Sequence, residues 1–224
     1  MRNELIIDWK GNTDSMVIFT PGEIGLADRI NGKNVKEYWI SKYQNTIING
    51  IPYSAIHQRP AVNIDKETAR KYCCYKGAGW HLMTNEEWDA IVRLSKHPTG
   101  NTDCGRSIIE HGEIGILYKG GLGKTLTGSG PIAWNHDRTR AGIADMCGNV
   151  YEFVDGTIVN DRRVISLDLE STLSEDNKSP YVVVRGGSAD SGISGEIESM
   201  SILPAKSRGE MYGFRSARVI FEED

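Results

Sequence analysis

The chain has 224 residues, of which 39% are hydrophobic and 25% are charged, a balance typical of a folded domain with a buried core. Its net charge is −4, and its lysines and arginines form no basic cluster of the kind that enters a nucleic-acid groove. Apolar runs stay well short of the roughly 20 residues that cross a bilayer, and the N-terminus lacks the apolar core of a signal peptide. We therefore expect a protein that is synthesised in the cytoplasm, has no membrane span and does not bind nucleic acid.

The cysteines argue against a zinc ribbon or a redox motif. They are Cys73, Cys74, Cys104 and Cys147, and no C-x-x-C spacing occurs among them. Adjacent cysteines do not readily form a disulfide with each other. Without a secretion signal, we expect all four thiols to be reduced and largely buried.

Two helices are predicted in the first half of the chain. The first runs from Asp65, a suitable N-cap, to about Tyr75, because apolar residues recur there at helical spacing and glycines follow. The second begins after Thr84, which forms a capping box with Glu87, and ends before Pro98.

Short strands are predicted for the remaining apolar runs, at residues 16–19, 37–40, 164–167, 181–184 and 214–221. The glycine-rich stretch 97–134 is expected to be mostly loop. Two helices with short, mainly antiparallel strands and many loops indicate an α+β fold. No break in composition marks a second domain, so we expect residues 1–224 to form one domain.

Several segments, taken in order, resemble a known family. They are residues 16–19, 35–43, 79–88, 142–153 and the frame Arg-Gly-Gly-Ser to Gly-Phe-Arg at 185–215. This set is similar to the formylglycine-generating-enzyme (sulfatase-modifying-factor) branch of the C-type lectin fold, over roughly Asp14 to Ile220. Within that branch, residues 80–88 and 128–137 most resemble the variable proteins of diversity-generating retroelements, which are found in phages and bacteria.

The resemblance implies that the C-terminal region, about residues 185–218, is a variable cassette. In such proteins an error-prone reverse transcriptase rewrites adenines, so that an asparagine codon becomes many others. Residues 189–212 have no clean helical or strand period, which suits a rigid platform of loops that presents side chains to a ligand. An ordinary long surface loop is the alternative.

The candidate ligand-binding residues all lie in this cassette. Most are polar, and several are residues that an asparagine codon reaches when only its adenines change; Ala189 departs from the family pattern, in which a Trp is common. The candidates are Ala189, Asp190, Ser191, Ile193, Ser194, Glu196, Glu198, Ser201, Leu203, Pro204, Arg208, Glu210, Met211 and Tyr212.

A rewritable side chain must not be needed for packing, because core substitutions cost roughly 2–5 kcal/mol each. We therefore predict that the fixed apolar residues face the core, namely Ile197, Met200, Ile202 and Phe214. The polar candidates should share one solvent-facing patch: Asp190, Ser191, Ser194, Ser201, Arg208 and Glu210.

The two arginines that flank the cassette, Arg185 and Arg215, are predicted to be structural residues and not ligand contacts. An arginine at a strand end can satisfy loop carbonyls or pair with a carboxylate. Asp145 and Glu152 are the candidate carboxylate partners.

Asn149 and Glu152 are candidate calcium ligands, because in the enzyme branch the backbone carbonyls of the corresponding motif, with the Asn and Glu side chains, can hold calcium, and both residues offer hard oxygen atoms. The alternative is that they hydrogen-bond neighbouring loops and bind no metal. The sequence favours this alternative, since no cluster of carboxylates surrounds them.

No catalytic residue is assigned. The formylglycine-generating enzymes bind copper through a cysteine pair in the segment before the final Gly-Phe-Arg, and residues 188–212 contain no cysteine. The related sulfoxide-forming iron enzymes need a histidine-rich site, which the chain does not offer. His136 beside Asp137 could form an acid–base pair, but no nucleophile lies nearby in the sequence.

The sequence therefore predicts a ligand-binding display protein that binds protein or cell-surface targets, on a virion or on a cell surface. The first alternative is a phage receptor-binding or structural protein with the same fold and no diversification. The second is a degenerate formylglycine-generating-type enzyme. Neither the ligand nor the oligomeric state is predicted.

Overall fold

A long antiparallel sheet, built from both ends of the chain, is the framework of the molecule. The structure is a computed structural model that describes residues 1–96, 115–161, 163–174, 179–191 and 196–223. Its strands, numbered in chain order, are β1 (Arg2–Ile7), β2 (Thr13–Phe19), β3 (Arg29–Ile30), β4 (Lys33–Ser41), β5 (Thr46–Ile48), β6 (Ile51–Tyr53), β7 (Trp80–Leu82), β8 (Tyr151–Val154), β9 (Thr157–Asn160), β10 (Arg163–Ser166), β11 (Tyr181–Arg185), β12 (Met200–Pro204), β13 (Tyr212–Phe214) and β14 (Ser216–Phe221).

The large sheet has the order β1-β2-β4-β14-β7, with β3 paired to β4. The last strand of the chain thus lies between β4 and β7, antiparallel to both. A second, four-stranded sheet has the order β12-β11-β8-β13, and in it β8 and β13 are parallel. Two ribbons, β5–β6 and β9–β10, complete the strands of the described part of the chain.

Four α-helices occur among the described residues: α1 (Pro21–Ile24), α2 (Lys66–Cys74), α3 (Asn85–Leu94) and α4 (Leu169–Ser174). A single 3-10 turn covers Ile132–Trp134. Together with the mainly antiparallel strands, these helices confirm the α+β prediction. None of the described helices has the length and apolarity needed to cross a bilayer.

Both predicted helices are present with the predicted caps. The Asp65 side chain accepts a hydrogen bond from the amide of Thr68, and Thr84 and Glu87 form the reciprocal capping box of α3. The helix α3 ends at Leu94, and Pro98 lies outside the described residues. The short helices α1 and α4 were not predicted, because four to six residues carry too little periodicity to be recognised.

The two largest hydrophobic clusters of the described residues hold the layers together. The larger one joins the large sheet to α3, where Tyr38 and Trp88 are fully buried. The smaller one joins α2 to the four-stranded sheet, with Cys73 and Phe153 at its centre. The cassette strands therefore lie on a sheet that is packed against a helix.

The cysteine prediction is only partly right. Cys73 and Cys147 are buried, as predicted, but Cys74 is exposed. The next residue of a helix is rotated by about 100°, so Cys74 points away from the core that contains its neighbour. Cys104 lies outside the described residues.

A buried ion pair joins the two sheets. The guanidinium of Arg215 donates from Nε and Nη2 to the two oxygens of Glu152, each at 2.6 Å, and both side chains are almost fully buried. The remaining donors of Arg215 reach the carbonyls of Ser41 at 3.0 Å and Ala144 at 3.1 Å. The prediction of a structural Arg215 is confirmed in this geometry, while Asp145 contributes a backbone carbonyl and not its carboxylate.

We predict that Arg215→Ala lowers the free energy of unfolding by about 3–5 kcal/mol, because it leaves the Glu152 carboxylate buried without a partner. Arg2→Ala is the matched control: Arg2 pairs with Glu37 at the surface, and such pairs contribute up to about 1 kcal/mol. Chemical denaturation of the two variants measures the difference. Equal losses for both would contradict the structural role of Arg215.

Candidate functional site

The first end of the cassette is held against α3. The guanidinium of Arg185 donates to the side chains of Asn85 at 2.7 Å and Asp89 at 2.9 Å, and it lies over the ring of Trp88. The partners of Arg185 are therefore on α3, and the predicted partners Asp145 and Glu152 are wrong for this arginine. The indole of Trp88 also donates to the carbonyl of Ile197 at 2.8 Å, which holds the cassette chain against α3 at Ile197.

Glycine is required where the cassette leaves β11. Gly186 has a φ of +84°, and a Cβ at this position would lie 2.5 Å from the carbonyl oxygen of Met146. Gly213, at the other end, would bring a Cβ within 2.7 Å of Val150. Backbone and packed side chains occupy the space around both residues, so no side chain fits there.

Of the four apolar cassette residues expected in the core, two are buried and two are not. Ile197 and Phe214 are buried, at 3% and 0% exposure. Met200 is 48% exposed and Ile202 is 37% exposed, so this part of the prediction is wrong. The reason is the strand β12, which the sequence analysis did not predict. Its side chains alternate between two faces, and Leu203, on the other face, packs against the smaller core instead.

Tyr212 lies in an aromatic cluster at the second end of the cassette. Its ring centroid is 6.2 Å from that of Tyr151 and 6.0 Å from that of Phe153. Ser191 donates to the hydroxyl of Tyr151 at 3.2 Å. The half-buried Tyr212 thus packs against the framework and also forms part of the surface. Through Tyr151, it is connected to Ser191 at the start of the cassette.

Arg208 pairs with the N-cap of α2. Its guanidinium donates to Asp65 from Nε at 3.0 Å, yet its side chain remains 60% exposed. Burial opposes ionisation of Asp65, but hydrogen bonds from Thr68 and Arg208 outweigh it and lower the pKa of this carboxyl. An open cleft of about 700 Å³ lies beside this pair, between α2 and the chain that follows β12.

Glu210 is also exposed, and its carboxylate is held by residues outside the cassette. It accepts a hydrogen bond from the side chain of Asn63, which lowers the pKa of Glu210, and it lies 3.5 Å from the ammonium of Lys124. Lys124 is 1% exposed and donates to the backbone carbonyl of Glu210 as well. The described loop 205–212 is therefore positioned by framework side chains.

The other candidate residues differ in exposure. Asp190, Glu198 and Pro204 are exposed, and Glu196, Ser201 and Met211 are half-buried. Ala189 is 2% exposed, so its side chain cannot reach a ligand and its assignment as a contact is corrected. Ile193 and Ser194 lie outside the described residues. Whether the polar candidates act together on one ligand stays a prediction.

The framework residues Tyr151, Asn63 and Lys124 were missed by the sequence analysis. Lys124 follows Gly120, Gly121 and Gly123 in the sequence, and only the structure shows its ammonium beside Glu210 of the cassette. Asn63 has a φ of +61°, and asparagine is one of the few residues that adopt this conformation readily. An asparagine between two short elements is thus the one local signal that could have marked this position.

Asn149 and Glu152 lie below the cassette in a chain of buried hydrogen bonds. The amide of Gln44 donates to Glu152 at 3.0 Å, and Asn149 donates to Gln44 at 2.8 Å. The Oδ1 atom of Asn149 accepts from the backbone of Thr125 at 2.9 Å. Both oxygens of Glu152 already accept from Arg215, so the oxygen atoms proposed for calcium are occupied by protein donors.

Asp145 is the most strongly perturbed carboxyl of this region. It is 1% exposed, and burial raises its pKa to about 6, although a hydrogen bond of 2.7 Å from the amide of Gly128 opposes the shift.

The candidate acid–base pair, His136 and Asp137, makes hydrogen bonds to other residues: Nδ1 of His136 accepts from the amide of Ile143 at 2.8 Å, and Asp137 accepts from Thr139.

Comparisons with known proteins agree on the fold. The family model described as a sulfatase-modifying factor enzyme 1-like domain matches residues 27–220. Among curated protein sequences, none matches this chain significantly. The solved structure of PvdO from Pseudomonas aeruginosa is similar, with a TM-score of 0.60 and 18% identity over 98% of this chain and 99% of PvdO. Variable protein 1 of Treponema denticola has a TM-score of 0.51 and 13% identity, over 96% of this chain and 98% of its own.

We predict that Asp145→Asn changes how stability depends on pH. The pKa of Asp145 rises from an ordinary 3.8 to about 6 on folding, so the folded state binds a proton that the unfolded state has lost. Stability therefore falls as pH rises through this window, by roughly 3 kcal/mol in total. Relative to the wild type, the variant should gain about that much between pH 4 and pH 7 in denaturant titrations. Asp190→Asn makes the same chemical change at the surface and is the control; parallel curves for the wild type and Asp145→Asn would contradict the prediction.

Proposed function

This chain belongs to the family of sulfatase-modifying factor enzyme 1-like domains, and we propose that it is a ligand-binding display protein whose C-terminal cassette contacts the target. One contrast supports the proposal most. The arginines that flank the cassette are buried and hydrogen-bonded, whereas Asp190, Arg208 and Glu210 between them project into solvent. Because the buried arginines fix the backbone of the cassette, the exposed side chains between them are available to contact a partner.

We propose further that a retroelement diversifies the cassette. Substitutions of exposed side chains usually change stability by less than about 0.5 kcal/mol, while core substitutions cost several times more. A surface of this kind tolerates rewriting without loss of the fold. The likeness to variable protein 1 of Treponema denticola supports the same scaffold for such a role. A reverse-transcriptase gene and a near-identical template repeat beside the coding sequence would test the idea, and their absence would favour a receptor-binding or structural protein without diversification.

The chemistry of the cysteines argues against an enzyme. Copper binding by formylglycine-generating enzymes needs a cysteine pair in the cassette segment, and residues 188–212 contain no cysteine. Cys73 is fully buried, and burial raises the pKa of its thiol, so the thiolate that binds a soft metal is disfavoured. The residues present therefore do not fit a copper centre of that type.

We also propose that the protein needs no calcium. A cation between Asn149 and Glu152 would have to displace Arg215 from a buried ion pair and break the hydrogen bond from Thr125. Among the described residues, no group of three or more potential metal ligands occurs.

The binding surface is tested by replacing Asp190, Arg208 and Glu210 together with alanine. We expect target recovery from bacterial cell surfaces to fall at least tenfold, because a few residues usually dominate the binding energy of an interface and arginine is enriched among them. Glu4 and Lys10, on the hairpin of β1 and β2, are also exposed and provide a control variant with alanine at both positions. The control should keep the stability of the wild type. The triple variant loses the contacts of Arg208 with Asp65 and of Glu210 with Asn63, so it should unfold at lower denaturant concentration but still in one cooperative transition from the native circular-dichroism spectrum. Equal recovery by the triple variant and the control would place the binding site elsewhere.

Catalysis and calcium binding are tested on the same purified protein. Incubated with a cysteine-containing sulfatase-type peptide, copper and oxygen, it should yield no formylglycine by mass spectrometry. The melting temperature should be the same in calcium chloride and in a chelator, because the candidate oxygens are already hydrogen-bonded. Glu152→Gln should melt lower in both solutions, which controls for the sensitivity of the assay. Turnover of the peptide, or a melting temperature that rises with calcium, would overturn the corresponding proposal.

A further inference from the structure

The outer edge of β12 carries free backbone hydrogen-bonding groups. The amide of Gly186 donates to the carbonyl of Ser199, and the amide of Ala205 donates to the carbonyl of Pro180. In an antiparallel pair, residues that bond to the neighbouring strand alternate with residues whose N–H and C=O groups point away from it. The backbone groups of Met200 and Ile202 therefore point away from β11.

This edge is open in the described part of the chain. The strand β12 is the first strand of its sheet, and the described strands include none on its other side. Pro204 ends the row, because it has no N–H and its carbonyl already accepts from the amide of Ser207. Two N–H and two C=O groups, those of Met200 and Ile202, remain for a partner, which is enough for one short added strand.

A groove lined by both apolar and polar side chains lies beside β12. It has a volume of about 530 Å³ and lies between β9 and β12, where it is lined by Val159, Asp161, Tyr181, Ile202 and Pro204. Tyr181 and Ile202 are both exposed. Edge strands of natural proteins are commonly blocked by lysines, bulges or a covering loop, since an open edge pairs with other strands. An edge with exposed apolar side chains is thus suited to binding.

We propose that the edge of β12 binds an extended segment of the target protein as an additional strand. The partner's backbone would pair with Met200 and Ile202, and an apolar side chain would enter the groove. Asp161, at the mouth of the groove, is exposed and matches a lysine or arginine beside that apolar residue. This inference rests on the proposed binding role of the cassette, and it specifies the ligand as an extended, basic-flanked polypeptide.

Charge favours a different protein over a second copy of this chain. Pairing of β12 with β12 of another copy would place the sequence Met-Ser-Ile-Leu-Pro against itself. That strand contains no basic residue, so β12 of a second copy would itself supply no charge complementary to Asp161. A dimer formed through β12 would be detected as a doubled mass in light scattering. If Ile202→Pro restored the monomer mass, the partner would be a second copy of this chain, and the proposal of a different protein would be overturned.

The test begins with selection of a displayed random heptapeptide library on the full-length protein. We expect enriched peptides with alternating β-branched or aromatic residues and an adjacent lysine or arginine. Each enriched peptide is then synthesised with a single N-methyl group at successive positions. Methylation at alternate positions should weaken binding at least tenfold and leave the intervening positions unaffected, because only every second amide faces β12.

Variants of the protein complete the test. Ile202→Pro removes an outward N–H and is tolerated at an edge, so it should fold normally and lose the peptide at least tenfold. Ile202→Ala retains the N–H and should lose less affinity. Failure to enrich any peptide, or methylation effects without a period of two, would overturn strand addition. The Asp190, Arg208 and Glu210 variant reports on the cassette loops independently, so its result separates failure of this inference from failure of the proposed function.

Discussion

The ion pair between Glu152 and Arg215 is the constraint on which the cassette depends. The two residues lie 63 positions apart, Glu152 before the cassette and Arg215 near its end, and their ion pair closes the intervening chain into a loop. A buried ion pair of this kind contributes little net stability relative to apolar residues, because removing both charges from water is costly. It does restrict the arrangement of the chain, since only one geometry satisfies both oxygens and all the guanidinium donors. The ion pair also positions the neighbouring loops. Arg215 donates to the carbonyls of Ser41 and Ala144, and Glu152 accepts from the side-chain amide of Gln44.

Stability and recognition are consequently separated in this molecule. The groups that fix the frame, such as Arg185, Arg215 and Trp88, are buried and make their hydrogen bonds inward. The exposed cassette side chains are held from below by residues outside the cassette. Glu210 is held by Lys124 and Asn63. Arg208 is held by Asp65. The shape of the surface therefore depends on the frame more than on the side chains that it displays.

The sequence was a good guide where local chemistry decides the structure. The N-cap Asp65 and the capping box of Thr84 and Glu87 are local signals, and both helices begin where these residues predict. The strand β12 was missed, and with it the exposure of Met200 and Ile202, because only pairing with β11 decides which face is covered. The framework residues under the cassette were also missed: the 86 positions between Lys124 and Glu210 carry no local pattern.

The glycines at the borders of the cassette have a genetic consequence. Every glycine codon begins with two guanines, so an adenine can occur only in its third position, where any change is synonymous. If adenines are rewritten as proposed, Gly186 and Gly213 cannot be altered by that process, although they lie beside the positions that are. The residues at which any side chain would collide with backbone or packed neighbours are thus the ones that the mutational chemistry spares. Under that proposal, the positions that require glycine are positions that adenine-specific mutagenesis cannot change, and each new version of the cassette would retain the bends that its attachment to the domain requires.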